Sequence, residues 1–335
     1  MRRRLKLAVL GLAWLGSVAA GSLPAQEPET PSGFSSKPEK PARKQPAFFR
    51  RPAKAAPAEQ LAYAEGLAKE GRLRQAMKQY LALVHEWHGS PEAPVAQEAY
   101  ARLLMKREDY EDAFDEFQYL FDHFAGSFKH DKVLEEQFKI ANVVRTQRHG
   151  GLFFFSGVTS PERALPRFEQ IVRNAPQWER APEAQFMIGI IHEDAREYAL
   201  AASVYEELQL RYPSSLVAAE AGFGRARCLQ RLAKDTPRDE DATRNAIAAI
   251  AAFLRDYPSD LNADAARAFL SEMKAHLADL YYERAVFYDE AARKPEAAII
   301  AYRDFISLFP SSERRKTAEE RIKALQQQRE IQNEK

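Results

Sequence analysis

Along residues 196–221, REYALAASVYEELQLRYPSSLVAAEA, the buried-type positions fall at a helical step: Ala201, then Tyr205 four places on, then Leu208 three further. Residues at i, i+4 and i+7 share one face of a helix, so this stripe opens with a side chain small enough to admit a neighbouring helix. Tyr212-Pro213 then stops the helix, because proline has no amide hydrogen with which to continue it. The same figure is repeated in Ala76/Tyr80/Leu83, Ala113/Phe117/Leu120, Ala164/Phe168/Ile171, Ala246/Ile250/Phe253 and Ala298/Tyr302/Phe305. In the last four of the six, a proline stands twelve positions after the alanine (Pro176, Pro213, Pro258, Pro310). The alanines are 37, 51, 37, 45 and 52 residues apart, so two intervals approach a bare helix pair and three carry extra sequence. Self-similarity at such a period predicts stacked units, each burying a face that it cannot bury alone.

A helix, a turn, and a second helix with a small residue, an aromatic four later and a closing proline resembles the tetratricopeptide repeat (TPR). The resemblance covers residues 58–327 and implies an all-α fold, a TPR-like α-solenoid of about six helix hairpins with insertions. Ala76, Tyr80, Ala113, Phe117, Ala164, Phe168, Ala201, Tyr205, Ala246, Ile250, Ala298 and Tyr302 are its packing signature. Three units end in Tyr212-Pro-Ser-Ser, Tyr257-Pro-Ser-Asp and Phe309-Pro-Ser-Ser, and that ending is similar to the BamD-type outer-membrane protein assembly factors and to related periplasmic TPR proteins that coordinate cell-wall growth. Residues 277–312 resemble the last repeat of the BamD type. That likeness implies docking to a barrel-insertion complex and recognition of unfolded segments.

Ahead of the repeats, residues 1–25 read as a secretory signal peptide: Arg2, Arg3, Arg4 and Lys6, then an uncharged apolar run from Leu7 to Ala20, then small residues. Cleavage after Ala25 is the preferred reading, with Ala20 the alternative; the apolar run is shorter than the roughly 20 residues of a spanning helix. Residues 26–57 form a linker with seven prolines and seven Lys or Arg, too poor in aliphatics to fold, reaching up to about 100 Å as polyproline. It is either a solvated spacer or a basic arm, with Phe34, Phe48 and Phe49, that touches anionic headgroups or polymers. Residues 328–335 read as a polar C-terminal tail.

An outer-membrane lipoprotein needs a cysteine directly after its signal peptide, and the one cysteine, Cys228, lies deep among the repeats, where a buried structural thiol is the reading. The expected place is therefore the periplasm, or the outer membrane through partners, with peripheral membrane association left open. Removing the four positive charges of the leader turns the +1 of the full chain into −3, and the repeats carry no basic stripe, which speaks against a nucleic-acid partner.

Chemistry-bearing motifs are few. His85 and His88 of HEWH are three apart and can share a helix face, but zinc wants three or four ligands, so a helix end closed by polar rings is preferred and no metal is expected. The acidic loop Ala233–Ala242 lacks the spacing and glycine of a calcium loop. No phosphate loop, GxSxG or Cys/His cluster is present, so neither an enzyme activity nor a cofactor is expected. The insertion at Thr146–Pro161 sets Leu152, Phe153, Phe154 and Phe155 between glycines. Such an apolar run either contacts a partner or plugs the groove. Between Asn262 and Ala292 the pattern predicts one unbroken helix of about 45 Å. Protein partners are expected throughout: an outer-membrane assembly complex, cell-wall synthases, or an envelope enzyme of which this chain is an accessory subunit.

Overall fold

The structure, a computed structural model, describes residues 51–149 and 158–333. The leader, most of the linker and Leu152–Phe155 lie outside the described residues. The helices belong to one unit, Pro46–Lys335, and form six hairpins and a closing helix. In order the hairpins are α1 (Pro57–Lys69) with α2 (Leu73–Glu86), α3 (Glu92–Lys106) with α4 (Tyr110–His123), and α5 (His130–Thr146) with α6 (Leu165–Asn174). Then come α7 (Ala181–Asp194) with α8 (Tyr198–Arg211), α9 (Ala218–Asp235) with α10 (Glu240–Asp256), and α11 (Ala263–Val286) with α12 (Pro295–Leu308). The last element is α13 (Arg315–Asn333). The fold is an all-α, TPR-like solenoid.

All twelve signature residues are buried, at 3 % exposure or less, on the second helix of each hairpin. Ala164 ends a short 3-10 turn, Pro161–Ala164, that leads into α6, rather than lying within the α-helix itself. Each second helix except α6 is C-capped by an aromatic residue: Trp87, Phe124, Tyr212, Tyr257 and Phe309. All five leave the helical conformation at φ between −124° and −132°, and at Tyr212, Tyr257 and Phe309 a following proline also disfavours it.

Four boundaries differ from the sequence reading. The insertion in hairpin three carries a two-residue antiparallel pair, Arg148–His149 with Val158–Thr159, where no strand was expected. The acidic loop shrinks to residues 236–239, since α9 runs to Asp235 and α10 starts at Glu240 with Asp239 accepting the amides of Asp241 and Ala242. The long helix α11 ends at Val286 and continues as a π-helical turn, Phe287–Ala291, which rotates Asp289 into the core. Finally α13 runs to Asn333, so residues 328–333 are helix rather than tail; buried Ala318 and Leu325 dock it, and its glutamine-rich end has good helix propensity.

A left-handed residue recurs five positions before the signature alanine, in the turn of four hairpins: Gly71 (φ 78°), Glu108 (65°), Arg196 (61°) and Arg293 (52°). Only the first is the residue that adopts this conformation without steric cost. Glu108→Gly and Arg196→Gly are each expected to stabilise by roughly 0.5 kcal/mol, the relieved strain exceeding the added freedom of the unfolded chain. A fall in melting temperature for both would show that these turns are held by contacts of the charged side chains instead.

Candidate partner-binding groove

Neighbouring hairpins pack chiefly through the second helix of one and the first helix of the next, and first helices also touch one another at three junctions, α1 with α3, α7 with α9 and α9 with α11. A groove along this side of the stack has first-helix side chains as its floor. Two recurrences build it. In hairpins one to four the first helix carries a buried glutamine four residues before a small buried residue: Gln60/Ala64, Gln97/Ala101, Gln137/Ala141 and Gln185/Gly189. Gln60 donates to the Gln79 carbonyl (3.1 Å), Gln97 to the Glu116 carbonyl (3.0 Å), and Gln137 to Gln118 Oε1 (3.3 Å), so each amide ties a first helix to a second helix.

The other recurrence is Glu-x-x-Phe, at Glu135/Phe138, Glu183/Phe186 and Glu220/Phe223 on α5, α7 and α9. Each phenylalanine is 5–7 % exposed and rests on an aromatic of its own second helix: Phe138 on Phe168 at 5.8 Å, Phe186 on Tyr205 at 5.6 Å, Phe223 on Phe253 at 5.6 Å. Sequence reasoning took its repeat signature from the second helices and passed over both figures. The signal was present in the matching strings EEQF and EAQF, inside the helical patterns of α5 and α7.

Charge organises the rim. Arg180 lies over the Phe138 ring at 4.0 Å, donates from Nη1 to both carboxylate oxygens of Glu135 (2.9 Å each) and from Nη2 to Glu183 (2.8 Å), joining hairpins three and four. Beside it a cleft of about 600 Å³ opens between α3, α5 and the α6–α7 turn, lined by Arg102, Lys132, Lys139, Glu136, Trp178 and Glu179 among others. One repeat on, Arg227 donates to Glu193 at 2.5 and 2.8 Å, and Tyr205 donates its hydroxyl to the same carboxylate at 3.1 Å. Burial, and then the Glu193 charge, push the Tyr205 phenol far above its usual value and the neighbouring Cys228 thiol up to about 12. Cys228 is thus a fully buried neutral thiol, held in the unreactive form. At the C-terminal end Lys234 at 2.7 Å, with Gln230 at 2.7 Å, holds the Glu272 carboxyl below the usual range.

Of the candidates named from the sequence, the twelve signature residues form the packing beneath this groove and line none of its cleft, while Leu152–Phe155 lie outside the described residues. HEWH is split: His85 lies in the last turn of α2, whereas His88 follows the helix and stacks on Phe124 at 4.5 Å. Among the described residues no three metal-ligating side chains converge, and no helix is long and apolar enough to cross a membrane.

Residues 183–215, which span most of α7 and all of α8, match the family model of the tetratricopeptide repeat. No curated protein matches the chain. Among solved structures, it is similar to a tetratricopeptide repeat protein from Parabacteroides merdae ATCC 43184 (12 % identity, covering 81 % of this chain and 98 % of that one, TM-score 0.29). It is also similar to YrrB, a TPR protein with an unusual peptide-binding site (14 % identity, 63 % and 92 % covered, TM-score 0.31). A third is the apo form of the quorum sensor NprR from B. thuringiensis (16 % identity, 81 % and 77 % covered, TM-score 0.32).

Proposed function

We propose that this chain is an exported TPR scaffold of the cell envelope that holds a segment of a protein partner along its first helices, and that the partner belongs to outer-membrane protein assembly. The observation that carries the binding site is the cleft between α3, α5 and the α6–α7 turn. It crosses two hairpins, and its cations Arg102 and Lys139, 44 % and 53 % exposed, alternate with carboxylates over a half-buried Trp178. A surface of alternating charge around an aromatic suits a polar partner segment, with the ring supplying contact area and the charges setting register. The envelope setting rests on the basic-apolar leader, and the assembly role on the Tyr/Phe-Pro-Ser endings that resemble the BamD type. Without a cysteine after the leader, attachment to the membrane runs through the partner.

The test is affinity capture of the tagged mature protein from gently solubilised envelope, beside the variant Arg102→Glu/Lys139→Glu. The expected result is recovery of an outer-membrane β-barrel with periplasmic domains, and loss of affinity by roughly tenfold or more in the variant. Recovery of cell-wall synthases in its place removes the assembly role; recovery undiminished in the variant removes the cleft.

A further inference from the structure

The His88 ring lies at the seam between hairpins one and two, in the turn from α2 to α3. It is stacked on Phe124 (4.5 Å, 24°), within hydrogen-bond distance of Tyr119 Oη through Nε2 (3.2 Å), and edge-on to His123 (6.1 Å). His123 in turn lies 4.1 Å from the Tyr119 ring. Two imidazoles and two aromatics therefore close the joint between the α2–α3 turn and the end of α4. We propose that this seam is an acid-sensitive joint, in which protonation of His88, held against Phe124 and Tyr119, loosens the end hairpin α1–α2 from the rest of the stack.

Stacking and the contact with Tyr119 suit a neutral ring; a charged one loses hydration in the seam. Burial, and then His123, lower the His88 basicity, and no carboxylate of the described residues acts against them. The charged and titratable groups around the seam are few. From α2 they are His85, one turn back, and the exposed Glu86; from the head of α3, Glu92; from α4, Tyr119, His123 and Asp122, the last accepting from Gln118 at 2.9 Å. Because the unfolded chain takes up the proton first, stability is full above the ordinary histidine value of about 6.5. It declines as pH falls from there to the lowered value of the folded state. The end hairpin is the part released, since among the described residues it packs on one side only, through α2 with α3 and α1 with α3.

The experiment is hydrogen exchange by mass spectrometry on the full mature chain at several values between about pH 7.5 and 5.5, with NMR titration of the histidines. Protection factors in α1 and α2 are expected to fall roughly tenfold over that range while those in α11–α13 hold, and His88→Phe, which keeps the stack on Phe124, to abolish the fall. Protection that does not change with pH, or a fall that persists in His88→Phe, overturns the proposal. If the variant does not fold, the unaltered chain decides: His88 titrating at or above about 6.5 overturns it as well.

Discussion

Gly189→Ala is expected to destabilise the chain by about 2 kcal/mol, although alanine is the better helix former by about 1 kcal/mol. The Tyr205 ring is wedged between two glycines of neighbouring first helices. A Cβ at Gly189 would lie 2.7 Å from Cδ1, and one at Gly224 would lie 2.7 Å from Cε2 and 3.0 Å from Cζ. Ordinary carbon contacts need more than 3.4 Å, so the ring would have to move. It is held in place by its hydroxyl on Glu193 (3.1 Å), and Glu193 is pinned by two bonds from Arg227. Tyr205→Ala, which removes a fully buried ring, should cost about 4 kcal/mol. Urea melts of the two single variants and of Gly189→Ala/Tyr205→Ala check the argument: the double variant should lose clearly less than the sum of its single parts. A Gly189→Ala chain more stable than the parent would show that the ring has room to shift.

Asp289→Ala should cost about 3 kcal/mol and release the C-terminal end before anything else. The carboxylate, 8 % exposed as a residue, accepts Arg321 Nε at 2.5 Å and Nη2 at 2.9 Å, and the Tyr302 hydroxyl at 3.3 Å. It joins the π-helical turn to α12 and α13 as Glu193 joins α7 to α8 and α9. In both places a carboxylate at the end of a first helix takes the aromatic hydroxyl of its own hairpin and an arginine from the next helix along, so α13 stands in the place of the first helix of a further unit. Removing Asp289 leaves the nearly buried Tyr302 hydroxyl and one side of Arg321 without their acceptor. In a stack each unit rests on its neighbours alone, so amide protection should drop in α12 and α13 and hold in hairpins one to three. The arginine, chiefly, holds the Asp289 carboxyl below the usual range. Its contribution is therefore complete above about pH 4 and lost as pH falls through the lowered folded value, well separated from the histidine seam. Equal loss of protection along the whole solenoid would show that the unit does not act locally.

The second helices were legible from the sequence because their stripe obeys a local rule: small, aromatic and apolar residues at i, i+4 and i+7 are buried whatever the partner. The first helices were harder. Gln60, Gln97 and Gln185 stand 16 residues before their signature alanines, but Gln137 stands 27 before Ala164, since the insertion of hairpin three intervenes. A fixed offset therefore misses the ladder that the folded helices display in register. Residues 277–292 read as uninterrupted helix because the backbone shift to a π turn leaves hydrophobic spacing almost unchanged, and only the Asp289 contact with Arg321 gives it away.

The sequence by itself determined the all-α class, the six hairpins, the prolines that close four of them and the buried face of every second helix, because each follows from preferences acting within one or two turns of chain. Tertiary structure alone decided what those hairpins present. It brought Arg180 to Glu135 across 45 residues, Arg227 to Glu193 across 34, and His88 to Tyr119 across 31. Such partners are chosen by the angle at which one hairpin stacks on the next, and that angle is set by packing summed over many contacts, which no short stretch of sequence contains.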